Sequence, residues 1–373
     1  MRYYLIAGEA SGDLHGSNLI RGLRAEDPEA ECRCRGGELM QAAGAVLVQH
    51  YRDGAVMGGA DVLAKAGKLL ASLRDCKRDI AAWRPDVVIL IDYPGFNLRI
   101  AKWCHARGIR VFYYIAPKTW ASRERRNRKL KAWVDRLFIV FPFEVPYFTA
   151  QGVPFTYKGN PLVDAVDGHD FVRPVEGRYI ALLAGSRKGE IKRMMPVLMA
   201  TADRLAARPG WEDVRFVVAG APARSEADYL PYIAGRQNVD LVFGRTYDVL
   251  KYADAAVINS GTASLEAVLI GVPQLVGWNS TFLFVWILNQ FHFLERIKFI
   301  SLGNLCLGRA AFRELIQWQF TPEAASEEVA RLVEDAPYRE KMLSDYAEIR
   351  RLLGGRGASR AVARAMIERL GVN

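Results

Sequence analysis

Short apolar runs separated by amphipathic stretches recur along the chain, and their spacing predicts strands alternating with helices. In the first half the β-rich runs are Tyr3 to Ala7, Asp86 to Ile91, Arg110 to Ile115 and Arg136 to Phe141, with helical patterns in most of the gaps. A polar, turn-rich stretch follows from Gly159-Asn160-Pro161 to Gly177. The alternation then restarts at Tyr179 to Leu183, Val214 to Ala219, Val239 to Phe243, Ala255 to Ile258 and Pro273 to Val276. This pattern predicts an α/β protein of two doubly wound, Rossmann-like domains, residues 1–165 and 175–345, with a cleft between them. From Thr321 the chain reads as charged helices opened by Pro322-Glu323, Pro337 and Gly354-Gly355, and residues 346–373 are expected to form a tail closing the domain interface.

Composition agrees with that picture. The 373 residues are 51% hydrophobic and 25% charged, the balance of a globular enzyme and not of a disordered chain. The longest strictly apolar run, Phe282 to Leu288, is seven residues, against the ~20 a spanning helix needs. Arg2 precedes only five apolar residues before Gly8 and Glu9, so the core of a secretory signal is missing and a cytoplasmic location is expected. Cys32 and Cys34 form a C-x-C without a second pair, and Cys76, Cys104 and Cys306 stand alone, so free thiols are expected and a zinc site is not.

The net charge of +10 changes the picture because it is local. Twelve Lys or Arg face two acids between Arg99 and Arg136. Leu130, Trp133, Val134 and Leu137 have the spacing of one buried helix face, leaving Arg123, Arg125, Arg126, Arg128, Lys129 and Lys131 mainly on the others. Such a face is either simply solvated, or meets nucleic acid, or rests on an anionic membrane carrying a phosphorylated lipid. Trp103, Trp120 and Trp133 would suit a membrane interface and could equally stack on bases. The aromatic stretch Trp278 to Phe299 reads by spacing as a buried helix ahead of an acyl-contacting one.

Ligands of open α/β sheets bind beyond the carboxyl ends of the strands, which singles out four polar stretches. Gly8-Glu9-Ala10-Ser11-Gly12-Asp13 combines a tight turn with a helix start, and its plainer reading is a glycine-rich turn capped by Asp13. Asp92, in Ile91-Asp92-Tyr93-Pro94-Gly95-Phe96-Asn97, follows an apolar strand, where partial desolvation would raise its pKa towards that of a general base; otherwise it caps the next turn. Gly185-Ser186-Arg187-Lys188-Gly189-Glu190 sets two cations side by side, as pyrophosphate oxygens require, or is merely basic surface. Asn259-Ser260-Gly261-Thr262-Ala263-Ser264-Leu265-Glu266 opens a helix whose N-terminus could cradle phosphate, with Glu266 one turn in to accept from a ribose diol. The first and third echo each other as glycine turns after an opening strand, but neither is G-x-G-x-x-G. The chain has no D-x-D, and its five histidines show no metal spacing, so no metal and no cofactor are expected.

Together these residues resemble the lipid-A-disaccharide synthase family of GT-B glycosyltransferases. The likeness runs in order through Gly8 to Asp13, Ala55-Val56-Met57-Gly58, Ile91-Asp92-Tyr93-Pro94, Tyr114 with Pro117 and Trp120-Ala121, Pro142-Phe143-Glu144, Gly185-Ser186-Arg187 with Glu190, Ser260 to Ala263 with Glu266, and Ser301-Leu302 with Asn304-Leu305. The sequence departs from the family at Gly95, where an acid is common, leaving Asp92 the only carboxylate of its loop. The resemblance implies inverting transfer of 2,3-diacylglucosamine from its UDP donor to the 6-hydroxyl of 2,3-diacylglucosamine 1-phosphate, at the cytoplasmic face of the inner membrane. It implies Asp92 as base, with Glu9 as acceptor-positioning acid or alternative base. Arg187 and the amides of Gly261, Thr262 and Ala263 would meet the diphosphate, and Glu266 the ribose. Further substrate positions are Gly8, Ser11, Gly12, Asp13, Met57, Asn97, Gly185, Ser186, Glu190 and Ser260, while Arg123, Arg125, Arg126, Arg128, Lys129, Trp120 and Trp133 would meet the membrane or a lipid phosphate.

Two other classes compete. A UDP-sugar 2-epimerase could share the two-domain frame but has no use for a basic, tryptophan-bearing face. A nucleic-acid-binding protein would point Asp92, Glu9 and Glu266 at a polyanion, so no nucleic acid is expected. Spacing does not decide whether the chain forms a homodimer.

Overall fold

The computed structural model describes residues 1–54, 62–120, 124–280 and 298–371. Met57 with its Ala55 to Gly58 element, Arg123, and most of the aromatic stretch 278–299 lie outside them. The described chain divides into two compact units, Met1–Asp167 with Leu353–Asn373, and Gly168–Leu352.

The first unit is built on seven parallel strands: β1 (Arg2–Ala7), β2 (Glu31–Gly36), β3 (Val46–His50), β4 (Val87–Ile91), β5 (Arg110–Tyr114), β6 (Arg136–Ile139) and β7 (Phe155–Tyr157), in the order β3-β2-β1-β4-β5-β6-β7. The second has six: β8 (Tyr179–Leu183), β9 (Arg215–Gly220), β10 (Val239–Phe243), β11 (Ala255–Asn259), β12 (Gln274–Trp278) and β13 (Glu314–Ile316), ordered β10-β9-β8-β11-β12-β13 and again parallel. Two doubly wound, Rossmann-like units follow, as expected. The strands legible in the sequence are the central ones: β4, β8 and β11 are buried along their whole length because helices cover both faces. The pattern missed β2, β3, β7 and β13. Three of these lie at sheet edges, where apolar residues are fewer, and β2 alternates its cysteines with Arg33 and Arg35.

One expected helix is corrected. Within the described part of the run from Arg123 to Leu137, residues 124–137, the chain is helical only over Arg126–Trp133; Val134 is already extended and Leu137 lies in β6. Leu130 is buried, but Leu137 owes its burial to the sheet and not to a helix face. At the other end of the chain, helix Ala358–Leu370 packs on helix Ala10–Glu26 within the first unit. Glu26 accepts from Arg364 at 2.9 Å and also from Arg360, and Asp164 accepts from the Ser359 N–H at 2.8 Å.

Asp13 belongs to this framework. Its carboxylate is buried and accepts from the N–H groups of Gly37, Leu39 and Met40 at 2.8, 3.1 and 3.0 Å, closing the start of helix Glu38–Ala42. Losing three buried acceptor contacts at once predicts that Asp13→Ala destabilises the first unit by about 2–4 kcal/mol. Asp13→Asn, which keeps one acceptor oxygen, should cost less; the midpoint of urea unfolding measures both.

Candidate active site

In a doubly wound sheet, helices following neighbouring central strands leave to opposite faces, and the crevice this opens is where ligands bind. The strand order places one such point between β1 and β4 and another between β8 and β11. The four polar stretches selected from the sequence are the loops that leave these four strands.

At the first point, the pairing of Ala7 with Ile91 sets Gly8-Glu9 beside Asp92-Tyr93. Gly8 is needed for contact: a Cβ there would fall 2.3 Å from the Tyr93 ring. Asp92 and Tyr93 both take left-handed backbone conformations, φ +41° and +45°, a strain of about 1–2 kcal/mol for each non-glycine residue. Neighbours hold the strain in place. Asn97 Nδ2 donates to the carbonyls of Asp92 at 2.8 Å and Ile91 at 3.1 Å, the Tyr113 hydroxyl donates to the Asp92 carbonyl, and the Asp92 N–H donates to Tyr114 at 3.2 Å. Asn97 is thus buried and turned to the backbone of the acid. The Asp92 carboxyl is pushed up to about 6, first by burial and then by the charge of Glu9, against the opposing pull of Lys118. Exposed Glu9 caps helix Ala10–Glu26 in position only and accepts from Ser11 Oγ at 2.8 Å. Gly12 is buried against Ala7.

At the second point, Leu183 pairs with Ile258, so the Gly185 loop adjoins Asn259. Gly185 has φ +98°, and a Cβ would lie 2.4 Å from Asn259 Nδ2. Glu190 is a scaffold for this loop: its carboxylate accepts from the N–H groups of Ser186 at 3.0 Å and Arg187 at 3.2 Å and from Arg187 Nη1 at 3.1 Å. The Arg187 side chain remains exposed at the start of helix Lys188–Ala206. In the next loop, Ser260 Oγ donates to the Ile300 carbonyl at 3.0 Å. Helical bonding begins with Ser264 to Gly261 and Leu265 to Thr262, leaving the amides of Gly261, Thr262 and Ala263 at the open end of helix Ala263–Ile270. One turn in, Glu266 is raised to about 7 by burial and accepts from the Tyr247 hydroxyl at 3.3 Å. Tyr247, Tyr113 and Tyr93 were not selected from sequence. Only Tyr93, next to Asp92, carried a signal there; the others arrive from elements distant in the chain.

The basic residues begin beside the first crevice, where the charge of Arg126 acts on Asp92. Arg125, Arg128 and Lys129 are exposed, Arg126 is half-buried, and Lys129 and Lys102 lie over the Trp133 ring at 5.8 and 5.7 Å. Trp120 packs edge-on to Phe143 at 4.9 Å. Among the described residues no helix is long and apolar enough to cross a membrane, and no group of three His, Cys, Asp or Glu could hold a metal ion. All five cysteines are free and buried.

Comparison with known proteins places the chain in a family. The family model for lipid-A-disaccharide synthetase matches residues 3–366. Lipid-A-disaccharide synthases of Myxococcus xanthus and Geobacter metallireducens are 38% and 37% identical to the chain, each over 99% of it and 97% of the relative. Among solved structures, a UDP-GlcNAc 2-epimerase from Neisseria meningitidis superposes with TM-score 0.69 at 13% identity (99% and 100% of the two chains). The calicheamicin glycosyltransferase does so with TM-score 0.61 at 17% identity, covering both chains fully. At such identities these structures report the shared GT-B fold alone, so the epimerase likeness carries no activity with it. The chain belongs to the lipid-A-disaccharide synthase family, glycosyltransferases of lipid A biosynthesis.

The Glu190 contacts predict a local effect. Glu190→Ala should raise amide exchange at Ser186 and Arg187 by tenfold or more, with the strand amides of β8 and β11 unchanged, as read by hydrogen exchange and mass spectrometry.

Proposed function

We propose that the protein transfers the 2,3-diacylglucosaminyl group of UDP-2,3-diacylglucosamine to 2,3-diacylglucosamine 1-phosphate. The products are the β-1,6 disaccharide 1-phosphate and UDP. The observation that carries the mechanism is the strained, half-buried Asp92 at the first crevice, its carboxyl raised to about 6 by desolvation and by Glu9. As the acceptor 6-oxygen bonds to the donor's anomeric carbon, the bond to the UDP oxygen breaks on the opposite face and its electron pair leaves on the diphosphate. The hydroxyl proton passes to the Asp92 carboxylate. Arg187 and the amides of Gly261, Thr262 and Ala263 stabilise the charge gathering on the diphosphate, and half-buried Glu266 accepts from the ribose hydroxyls. Glu9 orients the acceptor.

Both substrates carry acyl chains, which gives the basic surface a role. Exposed Arg125, Arg128 and Lys129 with Trp133 suit an anionic membrane, each cation near such a surface contributing about 1 kcal/mol. This reading puts the protein at the cytoplasmic face of the inner membrane, held there by surface contacts.

A detergent assay of UDP release and disaccharide mass tests the assignment. Asp92→Asn should lower kcat by about 10²–10⁴-fold while UDP still binds; full activity in that variant would move the base to Glu9. The active form is the carboxylate, which is protonated below its pKa. In the wild type kcat/KM should therefore fall tenfold per pH unit below about 6 and level off above it, and the Asp92→Asn profile should lose that limb.

A further inference from the structure

The first unit contains a cavity of about 580 Å³ that starts at Gly8 and Tyr93, the neighbours of Glu9 and Asp92, and extends to Arg35, His50, Lys68 and Ser72. Arg35 distinguishes it. The residue is only 6% exposed, and its Nη2 donates to Ser72 Oγ at 2.9 Å and to the Ser72 carbonyl at 3.3 Å. Its guanidinium lies 5.9 Å from the centre of the Phe96 ring. Among the described residues no carboxylate forms an ion pair with it. Two residues earlier on β2, Arg33 presents the usual solution: less buried, it is paired with Asp79 at 2.5 Å. A buried guanidinium without a counter-ion is strongly unfavourable, and it lines a cavity wide enough for a sugar. Asp53 and Asp75 also line the wall, but both are exposed, and Asp75 has Arg78 at 3.7 Å. Water screens rim charges of this kind and does not neutralise a buried one.

We propose that this cavity seats the phosphate monoester of the glycosyl acceptor, with Arg35 as its buried counter-ion and Lys68 at the rim. The inference rests on the acceptor chemistry proposed above. A planar guanidinium can pair bidentately with phosphate oxygens. An acceptor anchored there by its anomeric phosphate extends along the cavity towards Gly8 and Tyr93, bringing the far side of its ring to the loop that carries Asp92. The arrangement explains why a cation is retained at a site that lowers stability: ligand charge completes it.

Binding measured without donor separates this proposal from the transfer reaction. Titration of 2,3-diacylglucosamine 1-phosphate and of its dephosphorylated form, in detergent, should show the wild type preferring the phosphorylated ligand at least tenfold. Arg35→Met should abolish that preference and Arg35→Lys retain part of it. Because Arg35→Met removes an uncompensated buried charge, its melting temperature should be no lower than that of the wild type, whereas loss of a merely structural arginine would lower it. Should Arg35→Met not fold, Lys68→Ala at the exposed rim should still weaken the phosphorylated ligand several-fold and leave the dephosphorylated one unchanged. Equal affinity for the two ligands in the wild type, or an equal loss for both in the variants, overturns the proposal. Inorganic phosphate that binds through Arg35 while the acceptor ignores it would make this a free-phosphate site, which also overturns it. A wild type that binds as expected but makes no disaccharide would instead count against the proposed reaction.

Discussion

Right-handed crossovers govern this architecture. A parallel strand, its covering helix and the next strand close with one hand only, so a sheet that grows outward from its centre in both directions must send two neighbouring helices to opposite faces. That constraint opens the sheet edge between β1 and β4 and between β8 and β11. The groups assigned to proton transfer and to the diphosphate stand on loops leaving these strands. The buried apolar strands supply rigidity, and the loops inherit their position from strand register, Ala7 with Ile91 and Leu183 with Ile258.

The two units use one topology with opposite chemistry. In the first, two acids adjoin, and burial with the charge of Glu9 raises the Asp92 carboxyl to about 6, leaving a carboxylate basic enough to take a proton at neutral pH. In the second, an exposed guanidinium and the open end of a helix adjoin, and the carboxylate nearest the Gly185 loop, Glu190, is consumed by the loop's own amides. A displacement reaction needs this division, since a group that must accept a proton and a group that must stabilise a leaving anion would neutralise each other if placed together. The strain at Asp92 and Tyr93 is local, and it is held by Asn97 and Tyr113, both of which donate to the Asp92 carbonyl.

Sequence revealed what is local and apolar. The central strands announce themselves because they are buried on both faces, and Asp92 and Arg187 are visible because each lies in the loop that leaves such a strand. Asp13, Asn97 and Glu190 show the limit: they occupy the right loops, yet their polar atoms turn inward to backbone groups, and spacing does not reveal which way a side chain turns. Tyr113 and Tyr247 were invisible because they reach the site from elements remote in the chain. Arg35 was hidden more deeply, on a strand whose alternation of cysteine with arginine offers no apolar run.

The first unit is not continuous in sequence. Helix Ala358–Leu370 covers helix Ala10–Glu26 and supplies Arg360 and Arg364 to Glu26. During synthesis the amino-terminal half therefore leaves the ribosome without the helix that completes it, while Gly168–Leu352 already has every element of its own sheet. The unit made first is finished last. Until residues 353–371 arrive, the face of helix Ala10–Glu26 stays uncovered, and this interval is when a nascent chain is most exposed to chaperones and to aggregation.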